Sequence, residues 1–237
     1  MKSSFLRITT ILLLVGVGIF SGCGANNPIN AVRLNRQAQI YIDYGQYDRA
    51  IELLKASLDA DFENSASHYW LGHCYEVQGN LTKTIQEYEL SVRFDPSLDL
   101  AQLALIDTLE AMGRHEESIE AAKSYLRHRA GPAINLSNLA NDFAQKQKDE
   151  HALLAYQRAQ EVEPANAEPT IKLADYYFAK GDEEKGVETL EAAFMIDPYY
   201  PGLARRLGGY NRRVDIPEPR GLPETTPLEK ALRKLEE

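Results

Sequence analysis

Apolar and polar positions along this chain follow two periods, a short one of a helical turn and a long one of 34 residues. The segments GQYDRAI (45–51), GNLTKTI (79–85), GRHEESI (113–119), QKDEHAL (147–153) and GDEEKGV (181–187) each begin 34 residues after the one before. The aliphatic residue closing each (Ile51, Ile85, Ile119, Leu153, Val187) keeps the register without an insertion. The residue before it is always small: Ala50, Thr84, Ser118, Ala152, Gly186. Dividing the chain at 31–64, 65–98, 99–132, 133–166 and 167–200 aligns further columns. The seventh holds Gln37, Leu71, Leu105, Leu139 and Leu173; the eighth Ala38, Gly72, Ile106, Ala140 and Ala174; the eleventh Tyr41, Tyr75, Leu109, Phe143 and Tyr177. Positions 4, 7, 8 and 11 share one face of a helix. Positions 20, 24, 27 and 28 do the same for a second helix, with Pro96, Pro164 and Pro198 just beyond its end. The pattern predicts five antiparallel helix pairs, none able to bury its apolar face alone.

This order of bulky, leucine, small, aromatic, small, aromatic, small and proline columns resembles the tetratricopeptide repeat over residues 31–200. The resemblance implies an all-α fold, a right-handed solenoid of five helix-turn-helix repeats, with a small residue wherever the second helix crosses the first. Repeat three departs from the pattern with Ile106, Ala122 and Tyr125. Bulk lost at one site is expected to return at its neighbours. In repeat one Gln37 replaces leucine, which suits the polar outer face of a terminal repeat. Residues 201–213, with Ala204, Leu207 and Gly208 in register, predict a capping helix. Residues 214–237 read as a Pro-rich linker and a short amphipathic helix, in which Thr226, Pro227 and Glu229 form a capping box ahead of Leu228, Ala231, Leu232 and Leu235.

The leading residues are of another kind. Lys2 and Arg7 precede or flank a largely apolar run ending at Phe20, shorter than the roughly 20 residues a bilayer span needs. Residues 1–22 therefore read as an export signal, a short uncleaved anchor being the alternative. Phe20, Ser21, Gly22 and Cys23 resemble the lipobox of bacterial lipoproteins, with Phe20 in place of the aliphatic residue. The resemblance implies that Cys23 carries lipid (diacylglycerol and a further acyl chain such as palmitate) and begins the mature chain, with 23–30 a lipidated terminus and short linker. A free exported thiol is the alternative. The implied place is the bacterial cell envelope, membrane-anchored and facing the periplasm, with Gly24 rather than aspartate favouring the outer membrane.

Charge and chemistry narrow the function further. The 237 residues carry a formal charge of −9; without Lys2 and Arg7, 24 basic residues stand against 35 acidic ones, or −11. That balance argues against nucleic acid and against electrostatic adhesion to anionic lipid. With Cys23 acylated, Cys74 has no disulfide partner. The cluster HYWLGHC (68–74) suggests a metal, but His68 and His73 lie about 140° apart on a helix and cannot converge on one ion. His68 falls in the bulky fourth column and reads as core. Glu116–Glu117 and Glu183–Glu184 suit the first turns of second helices through the helix dipole. No phosphate loop or nucleophile elbow is present. The reading is of a non-enzyme without cofactor, metal or small-molecule substrate. Arg205, Arg206, Arg212, Arg213 and Arg220 form a basic cluster, either solvated or a docking patch.

In the family that the repeats resemble, positions 2, 5, 9, 12 and 13 of the first helix line a concave groove. Carried over, they include Asn35 and Gln39 in repeat one, Tyr69 and His73 in repeat two, and Leu103, Asp107 and Glu110 in repeat three. Ile134 and Asn141 follow in repeat four, then Ile171, Asp175 and Phe178 in repeat five. These columns hold six carboxylates and no Lys or Arg, so the cationic clamp that grips a peptide carboxylate is absent. The expected role is a membrane-anchored scaffold for envelope complexes, binding a neutral-to-basic protein segment with apolar anchors at Leu103, Ile134 and Phe178. The alternative is a structural component that associates with itself.

Overall fold

The computed structural model describes residues 27–212; the leader, Cys23 and the segment from Arg213 onwards, with its expected amphipathic helix, lie outside the described residues. Eleven helices and no strand occur among the described residues. The fold class is the expected one, all-α and built of repeated helical hairpins. The chain divides into two compact units, at Phe94 and Asp95.

The first unit holds two hairpins, α1 (Pro28–Asp43) with α2 (Tyr47–Ala60) and α3 (Ser65–Val77) with α4 (Leu81–Phe94). Ala38, Ile42, Leu54, Leu71, Cys74 and Tyr75 make its core. The second holds α5 (Asp99–Ala111) with α6 (His115–His128), α7 (Ala133–Gln145) with α8 (Asp149–Val162), and α9 (Glu168–Ala179) with α10 (Glu183–Ile196). The short α11 (Leu203–Gly209) packs on α10. Ile106, Ala122, Tyr125, Phe143 and Tyr156 lie in one of its cores, and Leu190, Phe194, Leu203 and Leu207 in another. Each fully buried leucine contributes about 1.5–3 kcal/mol over an exposed one. The three misfits of repeat three thus share one core, Ile106 and Ala122 wholly buried and Tyr125 at 2%.

Every hairpin turn closes the same way. In the first, Gly45 N–H donates to the Ile42 carbonyl and Gln46 N–H to the Tyr41 carbonyl, both at 2.8 Å, a pairing that requires a left-handed residue just past the helix. Gly45, Gly79, Gly113 and Gly181 fill that place with φ between 70° and 79°. Repeat four has Gln147 there at φ 60°, with the same bonds, Gln147 N–H to the Ala144 carbonyl and Lys148 N–H to the Phe143 carbonyl.

Within the hairpins the small columns let helices touch. A Cβ on Gly72 of α3 would stand 2.7 Å from the Tyr88 ring of α4, and one on Gly186 of α10 would stand 2.5 Å from the Phe178 ring of α9. Ala50, Thr84, Ser118 and Ala152 are all fully buried. Cys74 is buried as well, and desolvation pushes its thiol up to about 11, so it stays protonated and inert at neutral pH.

Two outcomes follow for thermal unfolding. Gly72→Ala should cost about 1–3 kcal/mol by overpacking against Tyr88. Gln147→Gly should raise stability by up to about 1 kcal/mol, because a left-handed conformation costs an L-residue about that much.

Candidate functional site

The inner faces of the first helices of the repeats are the candidate site, and each unit builds its own part. In the first, α1 and α3 lie side by side through a polar ladder. Gln39 Nε2 donates to Asn35 Oδ1 (2.6 Å), Asn35 Nδ2 donates to Ser67 Oγ (2.9 Å), and Ser67 Oγ meets Ser57 Oγ at 2.8 Å. Ser57 Oγ in turn donates to the Ala31 carbonyl. Asn35 is 5% exposed. Expected in the groove, it is instead a structural link, because a buried amide must satisfy its own hydrogen bonds. Gln39, Tyr69 and His73 are half-buried. Tyr69 stacks on Tyr88 at 5.8 Å, and burial, then the charge of Glu76, raises its phenol. Tyr88 donates to Glu76 (2.8 Å), and His73 Nδ1 is 3.5 Å from the same carboxylate.

His68, read as core, is 1% exposed, its Nδ1 2.7 Å from Glu87 and its Nε2 2.9 Å from the Phe62 carbonyl. No group of three or more His, Cys, Asp or Glu among the described residues could hold a metal.

In the second unit the sequence leaves Asp107 and Asp175 facing a partner, and the structure sets a cation of the same chain against each. Asp107 takes Lys146 at 2.8 Å and Lys148 at 2.5 Å. Desolvation resists that ionisation, but the two ammonium groups outweigh it and hold the carboxyl below its usual value. Asp175 pairs with Arg206 of α11 at 2.5 Å. Ile171, at 8% exposed, is buried with Leu190 and Leu203 and lines no open surface. Phe178 packs flat on Tyr210 (5.1 Å, 7°) besides filling the space over Gly186. Its ring is used inside the unit and is not an open anchor. Asn141 accepts a hydrogen bond from Tyr156. Of the arginine cluster, Arg206 is so paired and Arg212 meets Glu191 at 3.2 Å; Arg213 and Arg220 lie outside the described residues.

Leu103 and Ile134 remain half-buried. Leu103 lines a recess of 270 Å³ between α5 and α7, with Asp99, Tyr125, Arg129, Asn135, Asn138, Leu139 and Asp142. Arg129 pairs with Asp99 at 2.6 Å, and Tyr125 donates to the same carboxylate. Asn135, Asn138 and Asp142 are exposed. None of these three falls in an expected groove column, although Asp142 sits one residue round from Asn141. A larger recess of 370 Å³ opens between α6 and α8, where Lys123, Arg127 and Arg158 surround Leu126 and Leu154.

Glu110, the remaining expected groove residue, stands between two histidines. It takes His115 Nδ1 at 2.9 Å and lies 3.6 Å from His151 Nε2; His115 Nε2 reaches Glu150 at 3.1 Å. His151 is 1% exposed, its Nε2 2.8 Å from Ser118 Oγ and its Nδ1 without a partner. Burial holds the His151 imidazole below its ordinary value; Glu110 and Glu150 oppose this, and Lys148 and His115 add to it. Hydrogen bonds to Glu150 and Glu110 raise His115.

The described geometry offers amides, a carboxylate and apolar patches. A family model described as "Tetratricopeptide repeat" matches residues 35–99, and a second with the same description matches residues 171–200. Among similar solved structures is YrrB, "a TPR protein with an unusual peptide-binding site", 17% identical, with a TM-score of 0.44 over 77% of this chain and 94% of that one. Another is TTC0263, a thermophilic TPR protein of Thermus thermophilus, 17% identical, TM-score 0.42, over 76% and 97%. The first TPR domain of Spaghetti (RPAP3), bound to an HSP90 peptide, is 19% identical, TM-score 0.40, over 68% and 99%.

His151 and His115 set a pH dependence. As pH falls through about 6.5 the unfolded chain protonates residue 151 while the folded one resists, so His151 costs stability on acidification. His115 acts oppositely, its contribution fully present at low pH and lost as pH rises through its elevated value. Urea unfolding between about pH 7.5 and 5.5 should show a smaller acid loss for His151→Gln, bounded by about 1.4 kcal/mol per pH unit, and a larger one for His115→Gln. Tetratricopeptide repeats are thus found in this chain at residues 35–99 and 171–200.

Proposed function

We propose that this chain is a membrane-anchored scaffold of the bacterial envelope, tethered by lipid on Cys23 and binding a protein segment along the inner faces of its first helices. The observation that carries the binding role is the recess between α5 and α7, where exposed Asn135, Asn138 and Asp142 stand beside the apolar side chains of Leu103 and Leu139. Amides at a helical spacing can pair with the backbone of an extended segment while a side chain enters the recess. Internal pairing occupies Asp107 with two lysines and sets Arg206 against the exposed Asp175, which weakens two of the expected contacts for a cationic partner. A neutral segment, with at most a Lys or Arg opposite Asp142, fits what remains.

The tethering rests on the lipobox-like Phe20–Cys23 stretch and the apolar run before it. Catalysis has no part in this reading: the perturbed groups are a protonated buried thiol, buried tyrosines, ion-paired side chains and the His151 imidazole, which is enclosed in the core at 1% exposure. A photo-crosslinker at Asn135 in growing cells should trap a discrete envelope protein. Asn138→Arg should lower that yield about tenfold, the equivalent of about 1.4 kcal/mol, at unchanged stability. An unchanged yield would count against the recess; a product of twice the chain's own mass would favour self-association instead.

A further inference from the structure

We propose that the outward face of α1 is a membrane-contact surface, resting on the phosphate headgroups of the bilayer to which Cys23 is anchored; it depends on the lipid-anchor reading above. Ile29, Val32, Arg33, Arg36, Ile40 and Tyr44 follow one another at i, i+3, i+4, i+7, i+11 and i+15, which puts them on one side of the helix. The four apolar side chains are 84%, 51%, 52% and 75% exposed in that order, and both arginines are exposed. A terminal repeat ordinarily turns a polar face outward. This one turns out aliphatic side chains, a tyrosine and two guanidinium groups, with Asp43 the acid at its far end. Arg33 is held on the face by Asn30 (2.8 Å) and Gln37 (3.4 Å).

Position selects the occupant. Asn27 N–H donates to the Ala60 carbonyl at 2.8 Å, and its side chain caps α1 by accepting from Asn30 N–H at 3.0 Å. The chain therefore leaves the hairpin at a fixed point. Residues 24–26 alone separate that point from Cys23, a reach of about 14 Å when extended. Since α1 itself is about 24 Å long, an acylated Cys23 keeps the first turns of the helix within about 14 Å of the membrane surface whatever the tilt of the rest. Aliphatic side chains interleaved with arginine, and a tyrosine with an apolar ring and polar tip, are the make-up of a helix lying in an interface. The overall charge does not oppose this, because screening limits each contact to about 8–10 Å.

The test uses the full chain, made with its leader in a host that acylates lipoproteins and reconstituted into phosphatidylcholine–phosphatidylglycerol vesicles carrying a nitroxide lipid. A fluorophore is placed by Val32→Cys, or by Glu52→Cys on the exposed side of α2 as reference; Cys74 is buried and an acylated Cys23 cannot react. Quenching at position 32 should exceed that at position 52 at least about twofold. Adding Arg33→Glu and Arg36→Glu should remove about half of that excess in anionic vesicles and little of it in phosphatidylcholine alone. Equal quenching at both positions in a protein whose N-terminal mass shows the acyl group overturns the contact surface and leaves the anchor standing. Protection at position 32 that comes with crosslinks between copies, or to another protein, overturns it too. An N-terminus without acyl groups overturns the anchor reading by itself.

Discussion

The close crossing of the two helices in each hairpin is the constraint on which the rest depends. Where Gly72 meets the Tyr88 ring and Gly186 the Phe178 ring, a single added carbon would force the pair apart. Where the small residue is Ala50, Ser118 or Ala152 it is wholly enclosed. Interiors packed at crystal density transmit such a displacement instead of absorbing it, so the approach distance inside one hairpin sets how its neighbour can seat. The five turns, each closed by the same two hydrogen bonds, one from a left-handed residue and one from the residue after it, deliver the second helix to that crossing at the same point every time.

On this frame polar side chains serve two ends, and only their neighbours distinguish them. Asn35 and Asn141 have the same chemistry and nearby columns. One is buried and joins α1 to Ser67, while the other accepts from Tyr156 at a half-buried edge. Carboxylates divide likewise. Asp107 is bound by two lysines from the turn after α7, Asp175 by an arginine from α11, and Asp142 stands exposed beside the recess.

The two ends of the described chain differ in how they meet solvent. At α11, Leu203 and Leu207 are buried and the arginines Arg206 and Arg212 are paired to carboxylates of α9 and α10, the behaviour of a cap. At α1 the outer face keeps Ile29, Val32, Ile40 and Tyr44 uncovered, contrary to the polar terminal face that Gln37 suggested. The substitution that looked like a cap is one residue among several, and the face as a whole is apolar and basic.

The hairpins, their turns and their core columns were legible in the sequence because their causes are local. A helical period, a small residue at a crossing and a glycine after a helix all act within one 34-residue unit. Gln147 stands at the position that glycine holds in the other four repeats. Only the tertiary structure decided which groove residues remain available. The partners of Asp107 lie 39 and 41 positions away, and that of Asp175 lies 31 away. Such a distance is roughly one repeat, so each neutralising cation comes from the next turn or helix along. A column read in isolation cannot contain it, since neutralisation belongs to the contact between repeats and the periodic pattern belongs to each repeat alone.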